Sequence, residues 1–231
     1  MQRIPSSNVN NLRAKLQKIA EGKKTTPFVV TKSYDFPWDR WMEFVAKDTE
    51  KYHSVNADTK TEGAKYTLRQ VYRQKIYIQY GLKSDCSLPK NPIIRFYRSL
   101  KSQRMTRRIE QMISLIRERF TIKSTPCFIN GNYPPVTKTH FDDYHNILLL
   151  LAGTKTFYLA AQGAIFHSTT GHPNETSATP RDGSQFTKVV LRPGNVMYIP
   201  PGYWHYVESS PNSIMLNFWF LKKRSLQRSQ A

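Results

Sequence analysis

The chain predicts a mainly β fold with flanking helices, of the α+β class, on three observations. From residue 126 onward, short runs rich in β-branched and aromatic residues follow one another, punctuated by turns at Ala152-Gly153-Thr154 and Pro200-Pro201-Gly202. Upstream of residue 126 apolar residues recur at helical spacing instead. The chain of 231 residues, 39% hydrophobic and 13% aromatic, suits one globular body with a substantial core. Many short strands with regular turns fold as a sandwich or a small barrel. The division that follows is residues 1–125 as helices and strands packing on the rest, 126–221 as the β-rich core, and 222–231 as a basic tail, all in one structural domain.

Taken in order, Leu12, Leu16, Ile19 and Ala20 mark an amphipathic helix stopped by Gly22. Phe28-Val29-Val30 is a short strand. Asp35 and Pro37 read as cap and first turn of a helix with Trp38, Trp41, Met42 and Val45 on one face. Residues 54–66 are polar and loop-like. Lys75 to Tyr80 alternates as a strand, with Tyr77 and Gln79 on one face, and Pro89 and Pro92 end the pattern. Met105, Ile109, Met112, Ile113, Ile116 and Phe120 form a helical stripe, with Arg104, Arg107 and Arg108 off it. Strands are then expected at 126–129, 136–142, 145–151, 155–160, 164–167, 186–191, 195–199, 203–208 and 213–220, with a long polar loop over 168–185.

The formal charge of +19 is uneven. Residues 1–24 hold six Lys/Arg against one Glu, residues 101–123 seven against two, and residues 222–231 four against none, together +14. Such segments attract an acidic partner (a nucleic acid such as RNA, an acidic peptide or an anionic surface), or else simply solvate the surface. No apolar run approaches the ~20 residues of a membrane span. Cys86 and Cys127 make neither a disulfide framework nor a CxxC site, which fits a reducing, intracellular compartment, cytoplasmic or nuclear. A basic opening with Ser6 and Ser7 and no acid before Glu21 leaves the mitochondrion open.

The chemistry concentrates on Thr139-His140-Phe141-Asp142 and Tyr203-Trp204-His205-Tyr206. In a strand, His140 and Asp142 share a face, and His205 could meet them from another strand across a barrel. Two His and one carboxylate form the facial triad that holds non-haem Fe(II). His53, His145, His167 and His172 read as ordinary core or surface histidines, and the odd offset of His145 from His140 puts it on the opposite face. Lys155, opening a strand next to that of His140, supplies a point charge for a carboxylate.

The ordered set His140-Phe141-Asp142, Asn146, Lys155, Pro193-Gly194-Asn195-Val196, Trp204-His205 and Asn217-Phe218-Trp219 resembles the JmjC/cupin-like Fe(II)- and 2-oxoglutarate-dependent dioxygenases over about residues 70–220. The nearest likeness is the hydroxylase branch, which includes the asparaginyl hydroxylase of hypoxia-inducible factor and the tRNA wybutosine hydroxylase. The resemblance implies a double-stranded β-helix (jelly-roll, cupin-like) barrel and an oxidoreductase using Fe(II), 2-oxoglutarate and O2. By the same resemblance, His140, Asp142 and His205 bind iron and carry catalysis. Lys155 holds the distal carboxylate of 2-oxoglutarate with Thr137 and Tyr77, while Asn146, Asn217 and Trp219 line that pocket and Gln79 touches substrate. Asn195 stands where relatives often carry Asp, with only a turn effect expected. Three classes follow: hydroxylation of a protein or peptide side chain, the same chemistry on an RNA (tRNA) base, or a non-enzymatic cupin-like binding module. A histone-tail demethylase fits less well, because a +19 chain repels a basic tail. The relatives' oligomeric state does not carry over.

Overall fold

The computed structural model describes residues 2–5, 9–23, 26–55, 62–74, 76–80, 91–100, 103–160, 164, 175–176 and 186–223. Cys86, His167, His172, most of the expected strand at 164–167 and of the polar loop at 168–185, and the tail beyond residue 223 lie outside the described residues. So do the side chains of His53, Gln79, Arg104 and Met105.

In chain order the elements are β1 (Gln2–Pro5), α1 (Val9–Ala20), β2 (Phe28–Thr31), α2 (Trp38–Lys47), β3 (Lys51–Val55), β4 (Glu62–Thr67), α3 (Leu68–Arg73) and β5 (Tyr77–Tyr80). Then come α4 (Pro92–Ser99), α5 (Gln103–Arg119), β6 (Phe120–Ser124), β7 (Cys127–Asn130), β8 (Thr139–His140), β9 (His145–Ala152) and β10 (Lys155–Leu159). The chain continues through β11 (Glu175–Thr176), β12 (Thr187–Leu191), β13 (Val196–Ile199), β14 (His205–Ser209) and β15 (Ile214–Lys222).

Two sheets build the molecule. The major sheet runs β1-β2-β13-β9-β15-β7-β5-β3-β4, with β6 also on β15, and the minor sheet runs β11-β8-β14-β10-β12. Neither sheet closes on itself, so the expected barrel is two open sheets in a jelly-roll-like arrangement. All pairings are antiparallel except β1 with β2. Alternation along the strands splits the apolar residues into two cores. Leu148, Leu150, Met197 and Met215 of the major sheet meet Phe157, Leu159, Val189, Leu191 and Val207 of the minor sheet. Their neighbours Ile147, Leu149, Leu216, Phe218 and Phe220 face the helices.

Leu12, Leu16 and Ile19 of α1 and Ile109, Met112 and Ile116 of α5 fill that second core. Each such side chain contributes about 2 kcal/mol by leaving water. The opening segment is therefore a docked amphipathic helix.

Several local expectations are corrected. The described parts of residues 54–66, at 54–55 and 62–66, are strand and belong to β3 and β4. Pro92 does not break structure but opens α4 at its first turn, where Asn91 Oδ1 accepts from the Ile93 and Ile94 amides. Trp41 and Val45 of α2 are buried, whereas Trp38 and Met42 are exposed, and Pro37 rather than Asp35 occupies the cap. Phe120 begins β6 rather than ending α5. The strand expected over 136–142 survives only at β8, beside a single bridge from Val136 to Glu208.

Candidate functional site

The polar end of the inter-sheet space gathers most of the residues singled out above. β8 and β14 are neighbours in one sheet, with His205 in register with His140, so the two imidazoles meet side by side and not across a barrel. Their ring centroids are 4.4 Å apart. His140 Nδ1 lies 2.7 Å from the Lys138 carbonyl and His205 Nδ1 lies 2.8 Å from the Tyr203 carbonyl. A carbonyl only accepts, so both rings hold their proton on Nδ1 and keep the lone pair on Nε2. A backbone carbonyl on Nδ1–H is the arrangement that orients an imidazole to ligate a metal through Nε2.

Asp142 departs from expectation. The strand ends at His140, so Asp142 sits in the bend beyond it and strand alternation no longer governs its direction. Its carbonyl accepts from the Gly202 amide at 2.9 Å, and its Oδ2 accepts from Asn146 Nδ2 at 3.0 Å. Among the described residues, no group of three or more His, Cys, Asp or Glu converges as a metal-holding set. The structure thus brings together two of the three expected ligands, with the carboxylate engaged by Asn146.

Lys155 lies on β10, which pairs with β14 and β12; β14 therefore separates it from β8, contrary to expectation. Gly153 makes the turn before it at φ +71, where an added Cβ would stand 2.8 Å from Ser213. Lys155 is 1% exposed. Its Nζ donates to Ser209 Oγ and stands 5.9 Å from the centre of the Tyr77 ring. No carboxylate pairs with it among the described residues, and burial lowers its pKa to about 7. Burial likewise pushes the Tyr77 hydroxyl far above its ordinary value.

Register places Asn146, Asn217 and Trp219 on the same inner face of the major sheet, Trp219 pairing with Asn146 and Asn217 with Leu148. The backbone of Gln79 pairs with Phe128, and its side chain lies outside the described residues. Asn146 and Asn217 are each 3% exposed, and the Oδ1 atoms of both, with Trp219 Nε1, are buried without a hydrogen-bond partner. Tyr144 stacks on Trp219 at 5.8 Å. Thr137 lies alongside Val207, whose amide donates to its Oγ1 at 2.9 Å. His145 is on the opposite face as expected, bonded to Tyr198 and stacked on Phe220; burial, with help from Lys222, lowers its pKa to about 4. Ser209 escaped the sequence reading, although it lies four residues from His205 on the same strand face. Asn195 does more than form a turn: Oδ1 accepts from the Arg192 amide, and Nδ2 donates to Lys32 O at the end of β2, which a carboxylate could not do.

Known proteins share this architecture. The family model described as cupin-like domain matches residues 7–225. JmjC domain-containing protein F of Dictyostelium discoideum is 29% identical over 40% of this chain and 26% of its own length. Jumonji C domain-containing protein 5 of Drosophila melanogaster is 29% identical over 37% and 25%. Lysine-specific demethylase JMJ30 of Arabidopsis thaliana is 29% identical over 37% and 23%. The chain spans about a quarter of the length of these curated relatives. The X-ray structure of E. coli ycfD superposes with a TM-score of 0.50 at 15% identity, covering 90% of this chain and 53% of that one. That likeness extends to the fold. With a matched region running nearly end to end and the two-sheet arrangement to support it, the chain belongs to the cupin-like domain family.

Proposed function

We propose that this chain is an Fe(II)- and 2-oxoglutarate-dependent dioxygenase that hydroxylates a protein or peptide side chain. One observation carries the reading: Lys155, a buried amine with no paired carboxylate among the described residues, faces the same inter-sheet space as two imidazoles that carry a proton on Nδ1. A buried ammonium destabilises a fold unless an anion uses it. A dicarboxylate with one end on Lys155 and the other toward the imidazoles meets that requirement.

The side chains fit such a pair of ligands by chemistry. His140 and His205 would hold iron, with Asp142 the third ligand once its carboxylate turns from Asn146. Lys155, Thr137 and Tyr77 would hold the far carboxylate of 2-oxoglutarate. The unpartnered amide oxygens of Asn146 and Asn217 and the indole N–H of Trp219 would line the same space, and Gln79 would face the substrate. With Fe(II), 2-oxoglutarate and O2 bound, the site would convert a substrate C–H to C–OH, with succinate and CO2 as co-products. The protein's own part is to orient that C–H and exclude water.

The hydroxylase branch is favoured over lysine demethylation, the activity in the names of two relatives, because a +19 chain repels basic peptides. The three basic segments favour a second reading, the same chemistry on an RNA base. A binding module without catalysis would have no use for Lys155. The test is succinate release by purified protein given Fe(II) and 2-oxoglutarate. Turnover that His140→Ala abolishes is expected; no turnover and no metal uptake would leave only the binding module.

A further inference from the structure

The described parts of the three basic segments, far apart in the sequence, meet in the fold. Helix α1 packs on α5, Arg13 Nη2 reaches Glu118 Oε1 at 3.1 Å, and Lys223 Nζ donates to Glu118 O at 3.5 Å. The end of β15 completes the corner: Lys222 Nζ lies 3.3 Å from the position a Cβ on Gly22 would take. Because both helices turn their apolar stripes into the core, Arg13, Lys18, Arg117, Arg119, Lys123 and Lys222 are left exposed. The described side chains of the three segments include eleven Lys/Arg against Glu21, Glu110 and Glu118, a net +8. Two of those acids are already engaged, Glu21 by Lys23 at 2.9 Å and Glu118 by Arg13.

We propose that this corner is a docking surface for the phosphodiester backbone of a nucleic acid. Charge complementarity is the first ground: these segments alone carry a net +8 on their described side chains, as much as solubility asks of a whole small domain. Shape is the second. The 17 residues of α5 extend about 25 Å, and a nucleic-acid backbone presents negative charge continuously over such a span, which an ordinary acidic peptide does not. Surface chemistry is the third. The exposed large hydrophobics among the described residues are Trp38, Met42 and Val136, none of them in these segments. Among the described residues the corner therefore offers no wedge for a bilayer and no platform for stacking single-stranded bases, only contacts to backbone phosphates.

Position gives the docking a use. Lys222 lies three residues beyond Trp219 on β15, about 10 Å along the strand. A duplex held there passes beside the polar end of the inter-sheet space, on the helix-covered side of the major sheet. The docking itself needs neither iron nor turnover, so it stands or falls separately from the oxygenase reading.

Fluorescence anisotropy of the full chain without added metal tests it, using a short labelled RNA duplex, the matching single strand and a DNA duplex. Log Kd should rise linearly with log salt between about 50 and 200 mM. Lys18→Gln, Arg117→Gln and Lys123→Gln should each lower the slope by about one, and the triple variant should weaken binding at least about tenfold. All three side chains are exposed, so melting temperature should not move, and Lys65→Gln on β4 serves as a control that leaves the slope intact. Comparison of the RNA and DNA duplexes tells which backbone is preferred. An unchanged slope in the triple variant, or tighter capture of a polyglutamate peptide or phosphatidylserine vesicles than of either duplex, would overturn the proposal.

Discussion

Asp48 and Lys155 are both buried ionisable side chains, and their surroundings differ. Asp48 takes Arg95 Nη1 at 2.8 Å and the Tyr52 hydroxyl at 2.8 Å, and Arg95 Nη1 also donates to Tyr52 Oη at 2.8 Å. That network ties α2, β3 and α4 together, and every charge in it has its opposite. Lys155 has one hydroxyl, an aromatic face and, among the described residues, no counter-ion. The contrast separates two uses of buried charge: the first is completed by the fold, and the second is completed only by something the fold receives. It also shows why burial alone is a poor guide to function, whereas burial without a partner is a good one.

The sharpest way to break the contrast is to remove the charges one at a time. Lys155→Met should lower 2-oxoglutarate-dependent turnover by about a hundredfold, the loss of a charged hydrogen bond worth about 3 kcal/mol. It should leave the melting temperature unchanged or raised. A melting temperature that drops instead would make Lys155 a structural ion like Asp48. Arg95→Ala should do the reverse, costing about 3 kcal/mol of stability in urea denaturation because Asp48 stays buried with its charge uncompensated. Activity per folded molecule should be unchanged.

Acidity sharpens the comparison further. The folded pKa of Lys155 is lowered from 10.5 to about 7, so the unfolded chain binds the extra proton between those values. Stability of the ligand-free protein should therefore be lowest below about pH 7 and climb as pH rises through that window, a trend missing in Lys155→Met. Binding of 2-oxoglutarate at about pH 8 should take up a proton, seen as a calorimetric enthalpy that varies with the buffer's ionisation heat, and affinity should fall by up to about tenfold per pH unit above 7. The smallest effect belongs to Ser209→Ala. Losing one neutral partner of Lys155 should raise the 2-oxoglutarate KM about fivefold, roughly 1 kcal/mol, with kcat little changed.

Much of this was legible in the sequence because strand alternation is a local rule. His145, at an odd offset from His140, could be assigned to the opposite face without knowing its partners, Tyr198 and Phe220. Choices made by tertiary contact were not legible. Asp142 shares parity with His140 on paper, but the strand stops first, and no local signal marks that stop. Ser209 becomes important only because β14 pairs with β10. Pro92 looked like a break because its cap, Asn91, is held in place from 34 residues away by the Thr125 carbonyl. The convergence of the basic segments depended likewise on which helix lies against which.

Strand β15 does three jobs at once: alternate residues line the reactive space, the ones between them anchor the helices, and its last lysines join the charged corner. Because the side-chain period is two, inserting or deleting a single residue in it would turn each set toward the wrong neighbour. New specificities in this lineage should therefore arise through substitutions on this strand and length changes in loops, while the length of β15 stays locked.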